Sequence, residues 1–189
     1  MRWDDLFGDL EAQLDAAEAA AVDSEVADRT RRESAQLTLA DRLSGSLGAR
    51  VGLHVLGAGR VDGRLVEVCA EWLLLAGDAG AGGGGQVLVP MPAVQAVTGL
   101  APTTHLTAAP AAGQRVRLGL GVALRAIARD RLPVLVLLTG GGAVEGTVER
   151  VGADFVELTE HPVGEVRPRR AGGVRTVPFA ALALVRSRA

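Results

Sequence analysis

Residues 63–75, GRLVEVCAEWLLL, and residues 146–158, GTVERVGADFVEL, align without a gap, 83 positions apart. Val68 and Val151, Ala70 and Ala153, Glu71 and Asp154, Trp72 and Phe155, and Leu75 and Leu158 fall on matching places. The match runs back through Val61 and Val144, Gly59 and Gly142, and Gly57 and Gly140 to two alternating stretches, Val51-Leu53-Val55 and Val134-Val136-Leu138. Apolar residues at every second position mark strands. Each copy therefore reads strand, glycine-rich hairpin, strand, short turn, strand, and closes on VLVPMPAVQAV or VRTVPFAALALV. Aligning Val89-Pro90 with Val177-Pro178 requires a spacing of 88, so the second copy carries five extra residues in the loop between. Added residues in a loop with the framework kept are what a surface connection accommodates.

One unit written twice constrains the chain to fold as two like units. Short strands shed their exposed edges by closing into small barrels. Gly63 and Gly146, in mid-pattern, suit the sharp strand bends that such closure needs. A helix candidate precedes each copy. The first ends near Leu47, with Leu39, Leu43 and Leu47 on one face and GSLG as the break. The second spans Leu118 to Arg131 and is stopped by Pro133. The expected fold is mainly β with α, in four segments. A helical N-terminal arm occupies 1–48, a first small β-barrel 49–100, a Pro/Ala/Thr linker 101–114, and a helix plus second small β-barrel 115–189.

Within the arm, Trp3, Phe7, Leu10, Leu14, Ala17 and Ala21 step by four, three, four, three and four. That spacing puts them on one helical stripe, with Trp3, Phe7, Leu10 and Leu14 as the candidate partner-helix residues. The stripe either packs on the body of its own chain or pairs with another copy or a different protein. Residues 1–28 hold nine acids and one arginine, whereas the rest of the chain holds 13 acids and 19 arginines. The charge pattern is that of an acidic arm on a mildly basic body.

Composition bounds the chemistry. Hydrophobic residues make up 48% of the chain, enough for a buried core, but aromatics only 3%, with no tyrosine. Val, Leu and Ala must fill that core, with Trp72 and Phe155 as rare large fillers. Cys69 is the one cysteine, which excludes an internal disulfide and a cysteine zinc cluster. His54, His105 and His161 are scattered through different segments rather than set at ligand spacing, so no metal is expected. GAGGGG at 80–85 lacks the Lys-Ser/Thr of a phosphate loop and reads as a hairpin tip. Asp62, Glu71 and Asp154 repeat near turns as structural residues, and no nucleophile triad or catalytic carboxylate pair can be assembled. The reading is a protein that is not an enzyme and takes no cofactor. The acidic N-terminus is unlike a signal peptide, and the longest apolar run, LPVLVLLT, is too short to span a bilayer. A cytoplasmic protein without membrane contact is expected.

Arginine supplies every basic residue, and its clusters are the candidate nucleic-acid site. Arg167, Arg169, Arg170 and Arg175 fall in the long loop of the second copy. Arg115, Arg117, Arg125, Arg129 and Arg131 gather around its leading helix. Such clustering fits a phosphate-binding face, although no interleaved aromatics offer base stacking.

The run Val144, Gly146, Val148, Val151, Asp154, Phe155 and Leu158, and its counterpart Val61, Gly63, Leu65, Val68, Glu71, Trp72 and Leu75, resembles the first motif of Sm-like (Lsm) proteins and of related SH3-type small barrels. The whole chain also resembles a set of actinobacterial proteins often labelled Fis-type transcriptional regulators. The resemblance implies the barrel. It does not carry the uridine pocket, because Gly152 and Val156, or Cys69 and Leu73, stand where that family places its Asp and Asn. A V-P-x-x-A-[VL]-x-x-V ending also replaces the second motif. The expected function is a non-catalytic binding or assembly module acting through protein–protein contacts, its partner another protein or a second copy. The alternative is a nucleic-acid-binding regulator that uses the arginines of the second copy.

Overall fold

The structure, a computed structural model, describes residues 22, 24–29, 31–32, 35–77, 85–100, 118–160 and 173–187. The chain divides into two compact units, 1–39 and 40–189. Of the first, the described residues 24–29 are helical and exposed, with Val22 and Val26 open to solvent. The Trp3, Phe7, Leu10, Leu14 stripe and the 101–114 linker lie outside the described residues.

Helix α1 (Leu39–Ser44) leads into the second unit. It is shorter than the expected helix to Leu47, because the Ser44 hydroxyl donates back to the Ala40 carbonyl at 2.7 Å and the chain then turns through Gly45 to Gly48. Such back-bonding competes with continuing the helix. Leu43 is fully buried, whereas Leu39 and Leu47 are more than two-fifths exposed, so the expected three-leucine face is buried at its centre only.

Ten strands follow: β1 (Arg50–Val55), β2 (Gly59–Val68), β3 (Trp72–Ala76), β4 (Gln86–Pro90), β5 (Val94–Thr98), β6 (Pro133–Leu138), β7 (Ala143–Val151), β8 (Phe155–Glu160), β9 (Val174–Pro178) and β10 (Leu182–Ser187). Helix α2 (Leu120–Asp130) stands before β6 and ends on Arg131 in the left-handed region, two residues ahead of Pro133. Short 3-10 turns, Met91–Ala93 and Phe179–Ala181, join β4 to β5 and β9 to β10.

The pairing registers repeat with the sequence. Arg50 faces Arg64 as Pro133 faces Thr147, and Trp72 faces Pro90 as Phe155 faces Pro178. A bulge between Leu65 and Glu67 recurs between Val148 and Arg150. Gly63 and Gly146 have a common cause. A Cβ on Gly63 would lie 2.7 Å from the Ala76 carbonyl oxygen, and the Thr159 carbonyl crowds Gly146 in the same way. The mid-strand glycines let the next strand's backbone come close.

The strand order is β5-β1-β2-β3-β4-β10-β6-β7-β8-β9, all pairs antiparallel. Two five-strand runs in the same relative order are thus spliced into one sheet by β4 and β10. The sheet is not closed; β5 and β9 are its ends. Two cores lie along it, and each borrows from the other run. Ala183 and Leu184 of β10 enter the first core, while Cys69, Trp72 and Leu88 enter the second. Fully burying a leucine contributes about 1.5–3 kcal/mol, so Leu88 and Leu184 make the splice a substantial part of the unit's stability.

Trp72 and Phe155 occupy matching strand positions, yet their surroundings differ. The Phe155 ring lies over Gly152, where any Cβ would fall inside it. The first copy has Cys69 at that position, and the Trp72 ring instead sits in the second core with Leu120 and Leu124. There its indole N–H donates to the Leu118 carbonyl at 2.8 Å. Trp72 is 5% exposed, and Phe155 is only partly buried. Trp72→Ala should cost about 3–5 kcal/mol, and Phe155→Ala distinctly less, in urea melts followed by circular dichroism. Equal costs would show that the two rings are equivalent core fillers after all.

Candidate functional site: the splice and the two open edges

The splice shows what a surface of this unit can hold. Leu88 of β4 lies opposite Val185 of β10, and Val87 opposite Arg186. Beside them the Gln86 amide donates to the Ser187 hydroxyl at 3.0 Å, and that hydroxyl donates to the Gln86 carbonyl at 3.3 Å. Glu71, in the β2–β3 turn, reaches the start of α2, where its Oε2 accepts the Leu120 N–H at 2.7 Å. Gly119, the N-cap of α2, has no side chain to cap with, so Glu71 satisfies an otherwise orphaned helix donor. A carboxylate is favoured there by the helix dipole.

Two glycines sit at the same contact, and Gly57 also has a positive φ of 75°. Gly57, in the β1–β2 turn, abuts the Leu138 and Thr139 carbonyls, and Gly85 abuts the carbonyl of Ser187. A Cβ at either would collide with backbone. None of Glu71, Gly57, Gly85 or Ser187 stood out as a contact residue in the sequence. For Glu71 and the two glycines the signal was the repeat of glycines and turn acids itself, which shows that a position is constrained but not by what.

Among the described residues, β5 pairs with β1 alone and β9 with β8 alone. Each offers one row of backbone donors and acceptors to the outside, the property that makes edge strands templates for another chain. On β9, Val174 is 66% exposed, and Arg175 and Thr176 are also exposed. On β5, Gln95, Ala96 and Thr98 are exposed and no residue is charged.

The arginines of the candidate nucleic-acid site fall in three places. Arg125 and Arg129 are exposed on α2, about one turn apart, and the Arg125 guanidinium donates to the Gly152 carbonyl at 3.4 Å. Arg175 stands on the β9 edge and pairs with Glu160 of β8. Arg115, Arg117, Arg167, Arg169 and Arg170 lie outside the described residues. Carboxylates also accompany nearby arginines, Arg131 with Glu149 at 3.2 Å and Arg150 with Glu157 at 3.5 Å. Exposed pairs of this kind contribute little to stability, but they offset the positive charge that would attract a phosphate backbone.

Across the start of β2, the Arg60 guanidinium hydrogen-bonds the Asp62 carboxylate at 3.0 Å and holds its pKa below the ordinary value. A depressed carboxyl favours the folded state above the ordinary aspartate range and loses that contribution as pH falls through the lowered value. Both groups are solvent-exposed, so salt screens the effect. Among the described residues, no group of three His, Cys, Asp or Glu side chains could hold a metal ion, and no helix is long and apolar enough to cross a membrane.

No family model, curated protein or solved structure matches the chain.

Cys69 is 1% exposed, and burial, followed by the charge of Glu67, pushes its thiol above the usual cysteine range. A buried thiol held protonated is a poor nucleophile. Native protein should therefore react with a thiol reagent such as Ellman's reagent only as fast as it unfolds, and denatured protein should titrate one thiol per chain at once. Rapid reaction of the native form would place Cys69 at the surface.

Proposed function

We propose that the chain is a non-catalytic binding or assembly module, a tandem of two small barrels that acts through protein–protein contacts. The repeated registers and the two cores support the tandem reading, with one open edge strand on each five-strand run. The observation that carries the function is the pair of edge strands, β5 and β9, which among the described residues end a sheet whose internal edges are paired. A segment of a partner protein can add to such an edge through main-chain hydrogen bonds, taking its specificity from side chains on alternate positions.

The nucleic-acid reading draws on the arginine clustering alone, and within that cluster Arg125, Arg131 and Arg175 already have protein partners. Affinity capture of the full chain from its native cell, with and without nuclease and in high salt, separates the two. A specific protein retained after both treatments is the expected result. Ultraviolet absorbance from nucleic acid that high salt removes, with no protein retained, would overturn the proposal in favour of the arginine-based regulator.

A further inference from the structure

The splice between the two runs is heterologous: one surface of the first run meets a different surface of the second. Because the runs repeat, both surfaces occur again at the two ends of the sheet, where no strand among the described residues pairs with them. We propose that the β9 end of one chain binds the β5 end of a second copy, head to tail, in the arrangement that β4 and β10 use within the chain. This inference rests on the protein-binding reading above and names the partner as the chain itself.

The glycines carry the argument. The neighbouring run's backbone presses on Gly85, which is needed for that reason alone, and on Gly57, whose φ of 75° also calls for glycine. Their counterparts in the second copy, Gly140 and Gly173, are glycine too, yet a Cβ on either would meet nothing within 4 Å. Neither has a positive φ, so backbone conformation does not require glycine there. Among the described residues no neighbour explains them. Each is the residue that an approaching backbone would need, at the place where an equivalent backbone arrives in the splice.

Other parts of the surface correspond. The Glu160 amide donates to the Gly173 carbonyl at 3.1 Å as the Gly77 amide donates to that of Gly85 at 2.9 Å, so the approach to β9 is shaped like the approach to β4. Asp154, exposed, holds the place from which Glu71 caps α2. At the opposite end, Val97 of β5 stands where β10 has Val185, and Ala96 where it has Leu184, by the alignment that sets Val89-Pro90 on Val177-Pro178. The pair Leu88–Val185 thus becomes Thr176–Val97 between chains, and Val87–Arg186 becomes Arg175–Thr98. Both are compatible cross-strand pairs without like charges.

The exchange of Leu88 for Thr176 and of Leu184 for Ala96 leaves less apolar surface to bury. The contact between chains is therefore weaker than the splice, which also has the advantage of being intramolecular. Assembly is reversible and concentration-dependent. A heterologous contact closes into a ring or extends as a filament, according to its rotation.

Sedimentation velocity of the full chain over a concentration series tests the proposal, with each end blocked in turn. Gly140→Val/Gly173→Val adds side chains that face open space in the single chain but lie where a neighbour's backbone must pass. Thr176→Lys blocks the same end by a second route, should the double variant fail to fold by circular dichroism. Ala96→Lys places a charge where the splice buries Leu184. Wild type should grow in mass with concentration, each blocked variant alone should stay at the mass of one chain, and an equimolar mixture of variants blocked at opposite ends should form a two-chain species and nothing larger. A wild type that remains at one chain mass throughout overturns head-to-tail assembly but not the broader reading, which would still stand on a different protein captured from the cell. Assembly of folded end-blocked variants to the same extent as wild type also overturns it, whether or not the acidic arm is then responsible.

Discussion

Antiparallel pairing of β4 with β10 makes one sheet of two strand runs. Without it, each run would end in two edges and a core open on one side. With it, Leu184 closes the first core from the second run, and Leu88 and Trp72 close the second from the first. Backbone geometry then demands the rest: glycine at 57 and 85, where carbonyls press close, and a polar residue at 187, whose hydroxyl serves both polar groups of Gln86. Glu71 and Trp72 extend the same contact to the start of α2.

The splice also explains why duplicated sequence yields unequal surroundings. The first copy's β2–β3 turn is an internal contact, so it carries Cys69, Glu71 and the buried Trp72. In the second copy the equivalent turn faces outward. Its Gly152 lets the Phe155 ring fold down over the backbone, which keeps a large apolar ring partly covered where there is no neighbouring run. The edge strands show the same distinction, with Leu88 replaced by Thr176 and Leu184 by Ala96. Polar or small residues on an outer edge restrain promiscuous strand addition, while the retained glycines keep the edge accessible to a backbone of matching shape.

Much of the fold was legible in the sequence because it depends on local patterns. Period-two alternation located β1, β6 and the hairpins, and the 83-residue repeat is matched in the structure by like registers and a shared bulge. Pro133 placed the end of α2 to within a few residues. Less legible was anything set by contact between the copies. Nothing in LVP or ALV announces that β4 and β10 are neighbours, and Glu71 looks like any turn acid until α2 is seen to begin beside it. The length of α1 was overread, because leucines four apart at 39, 43 and 47 are compatible with a helix whose last turn is lost to Gly45 and Gly48. The arginine clusters were legible as composition, but their pairing with Glu160, Glu149 and Glu157 is a product of strand register.

Hydrogen exchange of the backbone amides, followed by mass spectrometry at a protein concentration low enough to exclude association, examines the splice itself. If β4 and β10 are joined as described, the amides of Val87 and Leu88 and those of Val185 and Arg186 should be protected as strongly as the interior pair β7 and β8, opening only with the whole unit. The amides of β5 and β9 that face outward should exchange orders of magnitude sooner. Exchange of β4 and β10 as fast as the outward amides of β5 and β9 would mean that the two runs are separate bodies, and the account built on their union would be wrong.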